Sequence, residues 1–123
     1  MASEHDSIQP GLQGRIDRVV DSSMLTEHIV GEGLFSTPSM ILLMELAAHG
    51  AVEPHLSARE TTVGYEVCVR HLAPAKAGER VVVTARLKEV NGSRLLFDVN
   101  CAKDDDTLIG TGTHKRAIIG VLG

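Results

Sequence analysis

The sequence predicts an α+β domain in which one buried helix is covered by an antiparallel sheet of about five strands. Three observations lead there. Thr37 to Gly50 (TPSMILLMELAAHG) is one almost wholly apolar helical stretch. From Arg59 to Ile119 the chain breaks into β-rich runs separated by short turn signals. The length, 123 residues, fits one domain with a modest core.

In order, residues 1–11 read as a disordered N-terminal tail ending at Pro10-Gly11, and 12–123 as the domain. Gln13 to Val20 reads as a first strand, followed by a turn or cap signal at Asp21-Ser22-Ser23. Thr26 to Val30 reads as a short strand, with Gly31 and Gly33 marking a loop. In the central helix Thr37 is placed to cap, Pro38 suits the first helical position and Gly50 supplies a stop, with a continuation or restart through Ala51 and Val52 left open up to an end at Pro54. The helix is too short to span a bilayer, which takes about 20 apolar residues. A helix apolar nearly all round belongs in an interior. Glu45 in its middle is therefore an ionisable group that needs a partner or a task.

Thr61 to Leu72 alternates with period two. That puts Val63, Tyr65, Val67, Val69 and His71 on one face and Thr62, Gly64, Glu66, Cys68, Arg70 and Leu72 on the other. Glu79 to Val90 is a Val-rich strand, Asn91-Gly92 a hairpin signal, and Ser93 to Ala102 a strand with Leu95, Phe97, Val99 and Cys101 toward the core. Thr107 to Ile119 closes the sheet, with Gly110 and Gly112 marking a bulge or a close backbone approach. Such a sheet leaves an edge strand to be covered, which makes a homodimer an expectation.

Composition narrows the function classes. A formal net charge of −4 with no Trp, one Tyr and two Phe argues against nucleic-acid partners. The polar, acidic start MASEHDSIQPG lacks the basic and apolar regions of a signal peptide, so a cytoplasmic protein with no membrane partner is expected. Cys68 and Cys101 read as reduced core residues. His49, Glu53 and His55 offer no clean ligand face around Pro54, so no metal is expected.

Four segments together resemble the hot-dog fold acyl-CoA thioesterases, nearest the fluoroacetyl-CoA thioesterase group. They are LMELAA around Glu45, GYEVCVRHLAPA with His71, AGERVVVTARLKEVNGSRL, and GTGTHKRAII. The resemblance spans about Gly33 to Ile119. It implies a sheet wrapped round one long helix, an acyl-CoA substrate, a homodimer or dimer of dimers, and no cofactor beyond the coenzyme A of the substrate. It also implies a catalytic set of Thr37, Glu45 and His71, with Thr37 eight residues before Glu45. Gly64, seven residues before His71, would lie at the site, and Phe35 and Arg116 would contact substrate. Where the family's fluoroacetyl enzyme carries an aromatic lid ahead of the helix, this chain has only Phe35. Thioester hydrolysis carries over and the particular acyl group does not; the few aromatics and the short lid region point to a small or medium one.

Each residue also has a plainer reading. Glu45 as base or nucleophile competes with Glu45 paired to an arginine or reaching solvent. His71 could be a satisfied core residue. Thr37 could simply cap, and a helix starting there sets Glu45 about 12 Å further along the axis, out of hydrogen-bonding reach. Free N–H groups at Ser39 and Met40 would suit an oxyanion unless Thr37 or Ser36 takes them. His114, Lys115 and Arg116 read as charge for coenzyme A phosphates or as a solvated strand end, and Arg70 and Lys76 are weaker candidates of the same kind. Two rival functions stay open: an enoyl-CoA hydratase or dehydratase on the same fold, and a non-catalytic acyl-CoA binder.

Overall fold

The structure, a computed structural model, describes residues 5–26 and 33–121. Five strands form one antiparallel sheet: β1 (Gln13–Val19), β2 (Glu60–His71), β3 (Arg80–Asn91), β4 (Arg94–Lys103) and β5 (Leu108–Gly120). Their spatial order is β1-β3-β4-β5-β2, so β1 and β2 are the edges. The helix α1 (Thr37–Val52) lies across the inner face. No helix among the described residues is long and apolar enough to cross a membrane.

The core lies where the inward residues of β3 and β4 meet one face of the helix. Val81, Val83, Ala85 and Leu87 alternate inward from β3, and Leu95, Phe97, Val99 and Cys101 from β4, as the period-two pattern of β4 predicts. Met40, Leu43, Met44, Ala47, Ala48, Ala51 and Val52 face them from α1. The helix can come this close to β1 because residue 14 is glycine: a Cβ there would strike the Ala47 carbonyl. The β3–β4 hairpin closes at Asn91 and Arg94, and its two-residue loop puts positive φ on Gly92, the first loop position, as a type II′ turn requires. Gly110 and Gly112 are close-approach glycines. A Cβ at Gly110 would meet the Met40 sulfur, and one at Gly112 would meet the Cys68 carbonyl.

Several expectations are corrected. From His5 onward the N-terminal segment is docked: Ile8 joins the core, the Gly11 N–H bonds the Leu87 carbonyl at 2.8 Å, and His5 Nε2 lies 2.9 Å from the Glu60 carboxylate. The helix cap is Ser36 rather than Thr37; of the two ends left open, the helix takes the later one, passing Gly50 and ending at Val52 because the apolar face continues there. Nor is α1 buried all round. Leu42 and Leu46 are 56% and 48% exposed on the side away from the sheet. Cys101 is buried, which pushes its thiol up to about 11, but Cys68 is exposed on the outer face of β2; neither is in a disulfide. The expected strand over Thr26 to Val30 lies mostly outside the described residues. What is described there is a single bridge pairing Leu25 with Phe35.

The correction that matters most for the site is in β2. A bulge between Gly64 and Glu66 inserts Tyr65 as an extra residue and reverses the phase of the strand. Thr62 and Gly64 share the inner face with Val67, Val69 and His71, while Val63 turns outward. Tyr65 itself lies under the Arg94 guanidinium, 5.2 Å from its ring centroid.

Candidate active site

The Ser36 hydroxyl accepts from the Ser39 N–H at 3.2 Å, and the Met40 N–H bonds the Ser36 carbonyl at 3.0 Å. Of the two alternatives for these N–H groups, an oxyanion or capping by Thr37 or Ser36, the one realised is capping by Ser36. Because Ser36 caps, the Thr37 side chain has no capping to do. Its hydroxyl lies 2.8 Å from His71 Nδ1 across the gap between α1 and the end of β2. Phe35 is buried against this histidine, edge to face, with ring centroids 6.2 Å apart. His71 Nε2 is buried and has no hydrogen-bond partner among the described residues. A cleft of about 280 Å³ opens here, lined by Leu34, Phe35, Thr37, His71, Leu72 and Pro74 among others. Phe35 is thus a wall of the cleft rather than a lid over it.

Glu45 is not in this cleft. It lies eight residues along α1 from Thr37, about 12 Å at the helical rise, on the open side between Leu42 and Leu46. A single chain therefore joins Thr37 to His71 but holds Glu45 apart. The Glu45 side chain is 37% exposed, and its cation is Arg116, whose Nη1 is 3.9 Å from the carboxylate. The plainer reading of Glu45 as an arginine-paired carboxylate is realised within one chain.

Arg116 corrects an expectation. It is not presented to phosphates at a strand end but stands inside, 7% exposed. Its Nε donates to Thr62 Oγ1 at 2.8 Å and its Nη2 to the Thr62 carbonyl at 2.9 Å. Thr62 Oγ1 also lies 2.7 Å from His49 Nδ1, so His49 is engaged on the same threonine. His114 is buried too, with Nδ1 on the Glu66 carbonyl at 2.8 Å and Nε2 facing Arg116 Nη1 at 3.1 Å. A carbonyl can only accept and a guanidinium can only donate, so these contacts assign the proton to Nδ1 and the lone pair to Nε2. Of the basic trio, Lys115 alone points outward, paired with Glu66 at 3.2 Å. His55 bonds Ser7, at 2.8 Å.

Gly64 lies under these side chains. A Cβ there would sit 2.8 Å from His114 Cε1 and 3.2 Å from Arg116 Nη1. The glycine is explained by the space these two side chains need.

Burial pushes the His114 imidazole below its ordinary range, the Arg116 charge adds to this, and the Glu66 carbonyl and Glu45 oppose it. The unfolded chain then binds the extra proton more readily than the folded one. His114 contributes stability that is complete above about pH 6.5 and lost as pH falls below it. We expect the melting temperature to drop between pH 7 and 5, and His114→Gln to flatten that slope in parallel thermal scans. Equal slopes would contradict a buried neutral imidazole.

Thr62 is the residue that sequence reading missed as part of the site. His114 and Arg116, expected to meet coenzyme A phosphates or solvent, lie inside instead. The signal lay in β5, where Gly110, Gly112, His114, Arg116 and Ile118 recur at period two from a close-packed glycine to a core isoleucine.

Residues 19–121 match the family model described as fluoroacetyl-CoA-specific thioesterase. The chain belongs to this family. The fluoroacetyl-CoA thioesterase of Streptantibioticus cattleyicolor is 36% identical over 122 residues, covering 93% of this chain and 87% of that protein. A solved structure of a fluoroacetyl-CoA thioesterase superposes with TM-score 0.84 at 34% identity, over 92% of this chain and 89% of the other. A thioesterase superfamily member from Thermus thermophilus does so with TM-score 0.85 at 30% identity, over 92% and 85%. A hot-dog-like protein from Thermanaerovibrio acidaminovorans, at 23% identity and TM-score 0.82, shares the fold, covering 90% of this chain and 83% of its own. This member of the fluoroacetyl-CoA-specific thioesterase family is thus a hot-dog protein, a thioester hydrolase with its sheet curled round one helix.

Proposed function

We propose that this thioester hydrolase cleaves a small acyl-CoA to the free acid and coenzyme A, at a site that two copies of the chain complete. The observation that carries this is the Thr37–His71 hydrogen bond with His71 Nε2 left buried and unpaired. A buried imidazole nitrogen without a partner costs stability unless something else completes it. The missing group is a carboxylate, and Glu45 stands about 12 Å away on the exposed side of the helix. A two-fold axis beside α1 sets two such helices antiparallel, so the middle of one lies near the start of the other. The apolar residues Leu42, Leu46, Val63 and Val67, exposed around Glu45 and along edge strand β2, supply the surface for that pairing.

In the reaction the acyl group occupies the cleft beside Phe35. A water activated by Glu45 of the partner subunit attacks the thioester carbonyl and gives its proton to the carboxylate. With the Nε2–H directed at that carboxylate, His71 Nδ1 accepts the Thr37 O–H, and the Thr37 oxygen is left to accept from the attacking water and orient it. The carbon–sulfur bond breaks, and the thiolate leaving as coenzyme A takes up the proton. A cleft of about 280 Å³ suits a short acyl group. Placing the enzyme in the cytoplasm agrees with two cysteines outside any disulfide.

The test is thiol release from a panel of short and medium acyl-CoAs, fluoroacetyl-CoA included. Release should be fastest with chains of a few carbons. Binding without thiol release would overturn the hydrolase reading for the site. An enoyl or hydroxyacyl product with the thioester intact would replace it with hydration chemistry.

A further inference from the structure

We propose that His114 is a positioning residue: held by the Glu66 carbonyl, its imidazole accepts a hydrogen bond from Arg116 and so aims the guanidinium at Glu45. This rests on Glu45 being the general base.

A guanidinium carries five N–H donors on a flexible stem. Here two are tied to Thr62, one on Oγ1 and one on the carbonyl, which fixes one edge of the plane. Those bonds alone leave the Nη1 end free to tilt. The third contact, on His114 Nε2 at 3.1 Å, holds that end and leaves the other Nη1 hydrogen for the Glu45 carboxylate 3.9 Å away. The acceptor type matters. A carboxylate at position 114 would draw the charge of Arg116 away from Glu45, and an alkyl group would leave a buried N–H unpaired. A neutral imidazole satisfies the donor without competing for the charge.

The imidazole is itself held in place. Its Nδ1–H goes to the carbonyl of Glu66, the residue just past the β2 bulge, where the strand ladder is interrupted. Gly64, just before the bulge, leaves the volume that both side chains fill. The bulge, the glycine, Thr62 and His114 thus act as one mount for a single guanidinium.

Two conservative variants separate the role from mere packing. His114→Gln carries an amide oxygen near the place of Nε2 and keeps an acceptor for Arg116. His114→Asn keeps a donor near the place of Nδ1 but loses that acceptor. We expect Asn to lower kcat by about tenfold or more with KM changed by less than about twofold, and Gln to restore most of it. In an Arg116→Ala background, His114→Asn should have no further effect, because its only route to Glu45 has gone. Equal kcat for Asn and Gln, a loss that follows melting temperature, or the same loss with and without Arg116 would overturn the proposal. Glu45→Gln run alongside tells two failures apart. If it turns over normally, the general-base reading fails and this inference with it. If it is inactive while both His114 variants are normal, only the positioning role fails.

Discussion

His71→Ala and Glu45→Gln should each reduce thiol release by at least about a hundredfold, the general scale for removing an acid–base group. The two losses arise differently. His71→Ala removes the partner that Thr37 meets at 2.8 Å and opens space beside Phe35, so both orientation and the shape of the cleft go. Glu45→Gln is nearly isosteric but takes away the charge that faces the buried Arg116, so melting temperature should fall modestly while turnover collapses. Steady-state thiol assays with thermal scans on the same preparations separate the cases. Near-parental turnover in both variants would remove these residues from the chemistry.

Mixing the two inactive variants should restore activity. If the Thr37–His71 pair of one copy works with Glu45 of the other, a mixed dimer of His71→Ala and Glu45→Gln chains contains one intact site and one doubly damaged one. Equal mixing with random exchange then gives about a quarter of parental turnover. If both residues served a site within one chain, every site in every dimer would carry a lesion and no activity would return. The variants are co-expressed or exchanged under mild denaturant, and sedimentation confirms the dimer. Recovery near zero in a confirmed mixed dimer would contradict a shared site.

The sequence carried the layout more clearly than the site. The buried side of α1, the alternation of Leu95, Phe97, Val99 and Cys101, and the turn at Gly92 were legible because each is a local pattern with one physical cause. What was not legible depends on contacts between distant segments. Two adjacent hydroxyl residues, Ser36 and Thr37, compete for the cap, and local rules do not decide between them. The structure gives it to Ser36, which frees Thr37 for His71. A one-residue bulge at Tyr65 leaves no mark in composition, yet it turns Thr62 inward and Val63 outward. Burying Arg116 looks unfavourable until Thr62 from β2 and Glu45 from α1 are seen to meet it.

The two borders of the sheet are dressed unequally, and this limits what the protein can build. Along β1, Arg15, Asp17 and Arg18 are charged, and Arg80 reaches Asp17 at 2.7 Å. Such a margin discourages another strand from adding on. Along β2 the exposed apolar side chains include Val63, Tyr65 and Val67. Growth into a fibril needs two adhesive ends per molecule, one to receive and one to offer. A chain with a single adhesive border stops after one pairing, so crowding and high expression should yield closed, soluble particles rather than filaments.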